Sequence, residues 1–439
     1  MTKIIFSFDA EDYTDPSTVD AILRLAAILE KEGIRGGFNM VGRLAEMLMK
    51  WGRRDVTDAL RRHLIGIHSL GHTMHPMINE YSDIADWERA VRLCESEEGL
   101  ALENIRKAFG INIPVSAVPP GNQQSYASMI AYAEMGVPIY TDSVCDTESG
   151  TGCYYGGMFH LSYAMGLEKF LLKTDDAGLS YLLDKLSGRE YAVLYIHPHR
   201  CISREAWDIL NFDKRNIYKE GHYLISQKMH ASDSEKIYSA FSKLIKLIKR
   251  DERFLITDFE ETAHETDVTR RRGIGLNDIP EIKTRLEKRF YPVTTPESLS
   301  LADIFKACAE MLKGGEFYEC GFEIGPMFEP YALKAPETVK ADDVIRSAFT
   351  IDPREPVPEK LFIGDLAVGP ADWLYAALEV LTGAKSMVLF PREQLPTLSA
   401  FPELSGLSYK GTWRHSDDFE DNFVSDRVRY MSWSMRMKR

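Results

Sequence analysis

The stretch "LIGIHSLGHTMHPMI" (residues 64–78) sets His68, His72 and His75 within eight positions of a chain that holds 11 histidines in 439 residues. Two histidines four apart share one face when the backbone is helical, with about 6 Å between their Cβ atoms. Both imidazoles then reach one cation at ~2.0–2.1 Å. Taken alone, the stretch reads equally as a surface turn with solvated imidazoles. The residues around it decide between the two.

Upstream, "KIIFSF" (3–8) is a short apolar run that ends in acids, the pattern of a buried strand. "PSTVDAILRLAAILEKE" (16–32) carries Val19, Ile22, Leu23, Ala26, Ala27 and Ile28 at helical spacing, and Gly33 closes it. "GGFNMVG" (36–42) reads as a second strand, which completes a strand–helix–strand unit of a parallel sheet. Downstream, the spacing predicts helices over 85–110, 125–136, 176–188 and 234–252. It predicts strands at 115–119, 137–143, 191–199 and 254–263. The fold class is therefore α/β over residues 1–265, a (β/α) barrel or a doubly wound sheet. Residues 266–292 are charged and read as a linker with a short helix, and "RRR" (270–272) as its solvated face. Residues 293–439 form a smaller accessory domain, α/β or mainly helical. Within it "SLADIFKACAEML", "KADDVIRSAF" and "GPADWLYAALEVL" echo one another weakly. No catalytic pattern stands out there.

The bulk numbers exclude several roles. Hydrophobic content of 44% with 27% charge fits a globular core. A net charge of −13 disfavours nucleic acid, whose phosphates need clustered Lys and Arg. The basic tail "RMKR" (436–439) reads as a frayed terminus. No run of 18 apolar residues is present, so no membrane helix is expected. The apolar part of the opening residues is too short for a secretory leader, so a cytoplasmic location is expected. Cys94, Cys145, Cys153, Cys201, Cys308 and Cys320 lack C-x-x-C spacing and read as reduced thiols.

Functional groups of parallel α/β folds collect at the carboxyl ends of strands. The first strand ends in Asp9, Glu11 and Asp12, and the strand at 191–196 ends in His197-Pro198-His199-Arg200. An acid from the first strand, Glu11 or Asp12, would complete a facial set with His68 and His72 and leave positions open for water and substrate. That acidic cluster turns the reading of 64–78 toward metal. The Gly-rich aromatic stretch "GCYYGGMFH" (152–160) reads as a substrate-covering loop or as a tight packed turn.

In this order the motifs resemble the NodB-type polysaccharide deacetylase family. "SFDAEDY" (7–13) looks like a variant of its first acidic motif. "GFNMVG" (37–42) is similar to its second strand, "HSLGH" (68–72) matches its His-Ser/Thr-x-x-His motif, and "VLYIHP" (193–198) looks like its last strand. "AVPPG" (117–121) keeps Pro119 and Gly121 of the third motif but has Ala117 where the family has arginine. The resemblance spans roughly 1–265 and implies a deformed (β/α) barrel.

It also implies roles. Asp9 would be the general base and His197 the general acid. Glu11 would ligate a divalent metal with His68 and His72, and Asp12 competes for the same place. The metal would be zinc first, with cobalt, iron or nickel as alternatives. Pro119, Gly121 and Asp142 would meet substrate, with Asp142 also placed to hold His197. His75, beside the motif, reads as lining the cleft against substrate or as a third imidazole at the metal with His72. Arg200 and Arg35 are the cations that stand to replace the missing arginine. The expected activity is hydrolysis of a C–N amide bond in an N-acylated sugar or related small amide. The expected partner is a small molecule or short saccharide, and a homo-oligomer stays open. Two alternatives remain: a metal-free cyclic-amide hydrolase of the same fold, and a degenerate binding or scaffold protein, which Ala117 favours.

Overall fold

A computed structural model describes residues 1–142, 149–212, 221–268, 270, 272–295, 297–396 and 414–438. Cys145, Arg271 and Arg439 lie outside them. The chain divides into two compact units, the first built from residues 1–152 and 158–267, with 414–422 among the described residues of a third piece.

The first unit is a curled, parallel α/β sheet. Its opening strand β1 (Thr2–Ala10) is buried almost throughout and is followed by α1 (Val19–Lys31), β2 (Gly37–Met40), α2 (Gly42–Lys50), α3 (Arg54–Leu60) and β3 (Leu64–Ile67). Next come α4 (Ile78–Ser82), α5 (Trp87–Phe109), β4 (Ser116–Ala117), α6 (Tyr126–Glu134) and β5 (Ile139–Tyr140). The strand β6 (Cys153–Tyr155) belongs to the second unit. The first unit resumes with β7 (Met158–His160), β8 (Tyr163–Gly166), α7 (Glu168–Lys173), α8 (Asp176–Leu186), β9 (Tyr191–Ile196), α9 (Trp207–Asn211), α10 (Ala231–Arg250), β10 (Phe254–Ile256) and α11 (Phe259–Thr266). Its strand order is β7-β5-β4-β3-β2-β1-β9-β8, with β10 also on β1. β1 pairs with β2, β9 and β10, so it lies inside the sheet with its backbone edges bonded, and its side chains are buried on both faces.

The core follows the apolar pattern. Val19, Ile22, Leu25, Ala26 and Leu29 form the buried stripe of α1. Phe8 stacks on Phe38 at 4.6 Å, and Phe6 meets Phe241 of α10 edge-on at 5.5 Å. Each such ring contributes ~1.5–3 kcal/mol through burial. Asp86 caps α5 by accepting the Arg89 N–H, and Gly110 ends it at φ 71°.

Several expected strands are shorter than their sequence patterns: 115–119 keeps only Ser116–Ala117, and the described residues of 137–143 only Ile139–Tyr140. Of 254–263 only Phe254–Ile256 is extended. Asp258 then accepts the Glu261 N–H and caps α11, so capping chemistry overrides the apolar run.

The second unit holds residues 153–157, 268–396 and 423–438 of those described. Helices α12 (Ile279–Lys288), α13 (Leu301–Leu312), α14 (Ala341–Ala348), α15 (Pro370–Leu381) and α16 (Val424–Tyr430) accompany two-stranded ribbons. The antiparallel pairs are β11 (Arg272–Gly275) with β12 (Phe317–Cys320), β13 (Glu337–Lys340) with β16 (Ser386–Leu389), and β14 (Leu361–Ile363) with β15 (Leu366–Val368). Trp373, Phe305 and Trp433 centre its core.

Three readings are corrected here. Residues 272–288 are no linker, because β11 joins the second unit's ribbon and Ile279, Ile282 and Leu286 are buried in its core. Arg272 is no solvated face; it is buried with its guanidinium 4.8 Å from the Tyr154 ring. The basic tail is anchored, since Arg436 lies in a short strand, β17 (Arg436–Met437), and its Nε donates to Asp303 at 2.7 Å.

The three echoing segments begin α13, α14 and α15. In α13 and α15 the third residue, Asp303 or Asp372, accepts the N–H of Ser300 or Gly369. Lys340 ahead of α14 makes no such side-chain bond. The five described cysteines, Cys94, Cys153, Cys201, Cys308 and Cys320, are buried and unbridged. No described helix is long and apolar enough to cross a membrane.

Candidate active site

At the carboxyl edge of the first unit's sheet lies a cleft of about 350 Å³. Asp9, Glu11, His68, His72, Pro119, Gly121, Asp142, His197, His199 and Arg200 all line it. Four non-glycine residues around it hold left-handed backbone: Ser69 (φ 60°), His72 (φ 55°), Asn122 (φ 65°) and Asp142 (φ 50°). Such residues cost free energy and tend to collect where geometry serves function.

The 68–72 segment is not helical, contrary to the expected spacing argument. β3 ends at Ile67, and the positive φ of Ser69 and His72 folds the loop back on itself. The two rings still meet, 4.9 Å apart. Glu11 Oε1 sits 3.3 Å from His68 Nε2 and 3.3 Å from His72 Nε2. Two ligand atoms bound at ~2.0–2.1 Å with tetrahedral angles lie about 3.3–3.4 Å apart, so these separations fit the edges of a divalent-ion site. All three residues are buried.

Their outer contacts fix the same orientation. His68 Nδ1–H donates to the Val118 carbonyl at 2.9 Å, which turns the Nε2 lone pair inward. Asp208 Oδ2 lies 3.4 Å from His72 Nδ1, and Trp207 Nε1–H donates to Glu11 Oε2 at 3.3 Å. Burial opposes charge on Glu11, yet the charges of His72 and His197, with the bonds from His68 and His72, hold its carboxyl well below the usual range.

Asp12 points elsewhere. Its Oδ1 accepts the Thr14 N–H (2.9 Å) and hydroxyl (2.6 Å), closing a turn, and burial pushes its carboxyl up to about 6. Of the two competing acids, Glu11 joins the imidazoles and Asp12 does not.

His197 also behaves differently from expectation. Its Nδ1 meets Glu168 Oε1 at 2.7 Å, so Glu168 holds it rather than Asp142. Burial lowers its basicity, but the carboxylates of Glu11 and Glu168 outweigh that and raise its pKa well above the ordinary histidine value. Asp142 lines the cleft, and burial followed by the charge of Asp9 raises its carboxyl to about 7. His199 is buried in the wall, 3.9 Å from Glu11 Oε2, and burial lowers it to about 3.

His75 does not line the cleft. Its Nδ1 lies 2.8 Å from Glu80; burial opposes charge on that carboxyl, but His75 together with the N–H groups of Ser416 and Met77 draws it down to about 2. Arg35 is engaged with Asp258 and Glu260. Cys153–Tyr155 form β6 and Met158–His160 form β7, and the residues of β7 do not line the cleft.

Sequence reasoning missed Asn39, Tyr163, Glu168 and Asp208. Asn39 carried a signal: it stands in register opposite Asp9 across β1 and β2, and paired strand residues face the same side. Glu168, Tyr163 and Asp208 arrive from elements with no motif around them.

No family model and no curated protein matches this sequence. Among solved structures, the chain is similar to the PuuE allantoinase at 12% identity, covering 61% of this chain and 91% of that one, with a TM-score of 0.39. It is similar to a family 4 carbohydrate esterase from Streptomyces lividans at 12% identity (58% and 91% covered, TM-score 0.33). A carbohydrate esterase family 4 pseudoenzyme from Bacillus anthracis matches at 11% identity (60% and 66% covered, TM-score 0.35). Likenesses this distant carry no argument about chemistry; the donor set and its surroundings do.

Proposed function

We propose that the first unit is a metal-dependent hydrolase of a C–N bond that removes the acyl group of an N-acylated sugar or related small amide. One observation carries the reading: Glu11 Oε1 stands 3.3 Å from both His68 Nε2 and His72 Nε2, in a buried cleft flanked by Asp9 and His197.

Glu11, His68 and His72 would hold the ion, zinc in the first place, with cobalt, iron or nickel as alternatives. Bound there, a divalent ion would polarise the scissile carbonyl and lower the pKa of an attacking water. Asp9 accepts the proton that this water gives up. His197, held through Nδ1 by Glu168, delivers a proton to the departing nitrogen. Glu168 fixes the His197 ring through Nδ1 and leaves Nε2 facing the cleft, 3.5 Å from Glu11. Pro119, Gly121 and Asp142 shape the wall against which substrate rests. The substrate is a small molecule or short saccharide. Cytoplasmic location and a homo-oligomeric state belong to the same proposal, for fractionation and sedimentation to test.

The test is release of acetate from N-acetylated chito-oligosaccharides and small amides by purified protein, with and without chelator. The reading expects turnover that chelation abolishes and that Zn(II) or Co(II) restores. Turnover of a cyclic amide that survives chelation would return the metal-free alternative. No turnover of any amide would leave the binding-protein reading.

A further inference from the structure

A carboxylate that takes protons from water must be aimed, and the arginine of the resembled family's third motif is replaced here. Ala117 stands in that place, fully buried. Asp9 is nevertheless engaged on both oxygens. The Tyr163 hydroxyl lies 2.8 Å from Oδ1 and 3.0 Å from Oδ2. Burial, followed by the Asp9 charge, holds that phenol well above its ordinary pKa, so it stays a donor.

Asn39 Nδ2 donates to Asp9 Oδ1 at 2.9 Å and to Ser7 Oγ at 2.8 Å. Its Oδ1 accepts the Ser116 hydroxyl at 2.7 Å. A hydroxyl donor on one end of the amide and a carboxylate acceptor on the other allow one orientation of the group.

Asn39 is on β2 and Ser116 on β4, so their bond passes over the strand between them. There, Gly66 pairs with Asn39 in register. A Cβ on Gly66 would fall 2.1 Å from Asn39 Oδ1 and 2.4 Å from Ser116 Oγ. Gly66 has no left-handed backbone to explain it, so the need is for space.

We infer that Tyr163, Asn39 and Ser116 form an uncharged positioning network that aims Asp9 as the base, with Gly66 the gap through which it closes. The inference rests on the hydrolase reading above. It makes Tyr163 and Asn39 positioning residues that orient the carboxylate without adding a charge to the cleft.

The test uses the full chain loaded with Zn(II), with triacetylchitotriose as the probe. Tyr163→Phe is expected to lower kcat by ~10- to 100-fold, the worth of a hydrogen bond to a charged group, with KM nearly unchanged. Gly66→Ala, whose added methyl faces the network, is expected to lower kcat in the same way. Added to Asp9→Asn, Tyr163→Phe should cost nothing more, because the two act as one unit. Metal content should stay at the wild-type level in both single variants. Losses that multiply with Asp9→Asn, or zinc lost from Tyr163→Phe, would overturn the network.

Full activity in Asp9→Asn would instead refute the base assignment, and the network's purpose with it. A wild type inactive on the probe refutes that substrate, and a crystal structure of Tyr163→Phe then decides the network. An Asp9 carboxylate turned from its wild-type orientation supports it; one left unmoved overturns it.

Discussion

The two units treat buried charge in opposite ways. In the second, several buried ions are answered locally. Asp303 takes two N–H groups of Arg436 as well as the Ser300 N–H. The Lys306 ammonium donates to the carbonyls of Asp352 and Glu355. Asp372 accepts from Gln394 at 3.0 Å, with Arg392 at 3.5 Å. In the first unit's cleft, the carboxyls of Asp9, Glu11, Asp142, Glu168 and Asp208 face four imidazoles. Of these, burial pushes His72 and His199 toward the neutral form. Burial and the charge of Glu11 drive Asp208 well above the usual carboxylate range. Paired charge fixes a fold, whereas surplus acid around converging imidazoles fits the proposed cation and proton-transfer site.

The largest expected effects divide along that line. Asp9→Asn and His197→Gln should each lower kcat by ~10²–10⁴-fold, as loss of a general base or acid does. Their thermal unfolding should change less than that of Asp303→Ala, because the new amides can still bond to Tyr163 or Asn39 and to Glu168. Steady-state kinetics beside calorimetry check this, and large destabilisation with little kinetic loss would erase the contrast. Asp303→Ala should do the reverse. It leaves Arg436 buried without its partner, a loss of ~3–5 kcal/mol. Hydrogen exchange should report that loss in α13 and β12, with zinc content unchanged.

A smaller effect sharpens the comparison. Asp208→Asn removes the carboxylate behind His72 and should weaken metal affinity by ~10- to 100-fold, measured by competition with a chelating dye. Unchanged affinity would make Asp208 part of the wall only.

The smallest effect is one of pH. His63 is buried, accepts the Gly36 N–H on Nδ1, and burial with the charge of Arg62 lowers it to about 4. An unfolded histidine titrates near ~6.5. Below that pH the unfolded chain binds a proton that the folded one refuses, so stability falls until about 4, where the folded state binds it too. Chemical denaturation from pH 8 to 4 should show this slope in wild type, and a shallower one in His63→Leu.

The sequence made the barrel legible because strands buried on both faces, such as 3–8 and 191–196, leave continuous apolar runs. It made Glu11, His68, His72 and His197 legible because strand ends collect chemistry. It misled where one residue carries two signals. Asp12 is as acidic as Glu11, but Thr14 captures it in a turn. Helical spacing suggested that His68 and His72 meet, and a left-handed loop brings them together instead. Tyr163 and Glu168 were illegible, because their contacts with Asp9 and His197 span 154 and 29 residues and depend on how the sheet curls.

Glu11, His68 and His72 are proposed to bind one ion between them. Elemental analysis of protein purified without chelator tests it most directly, on wild type, Glu11→Ala and His72→Ala. A single divalent ion per chain is expected in wild type, and its loss from both folded variants. Wild type devoid of metal under metal-replete expression, or variants that keep a full complement, would contradict it.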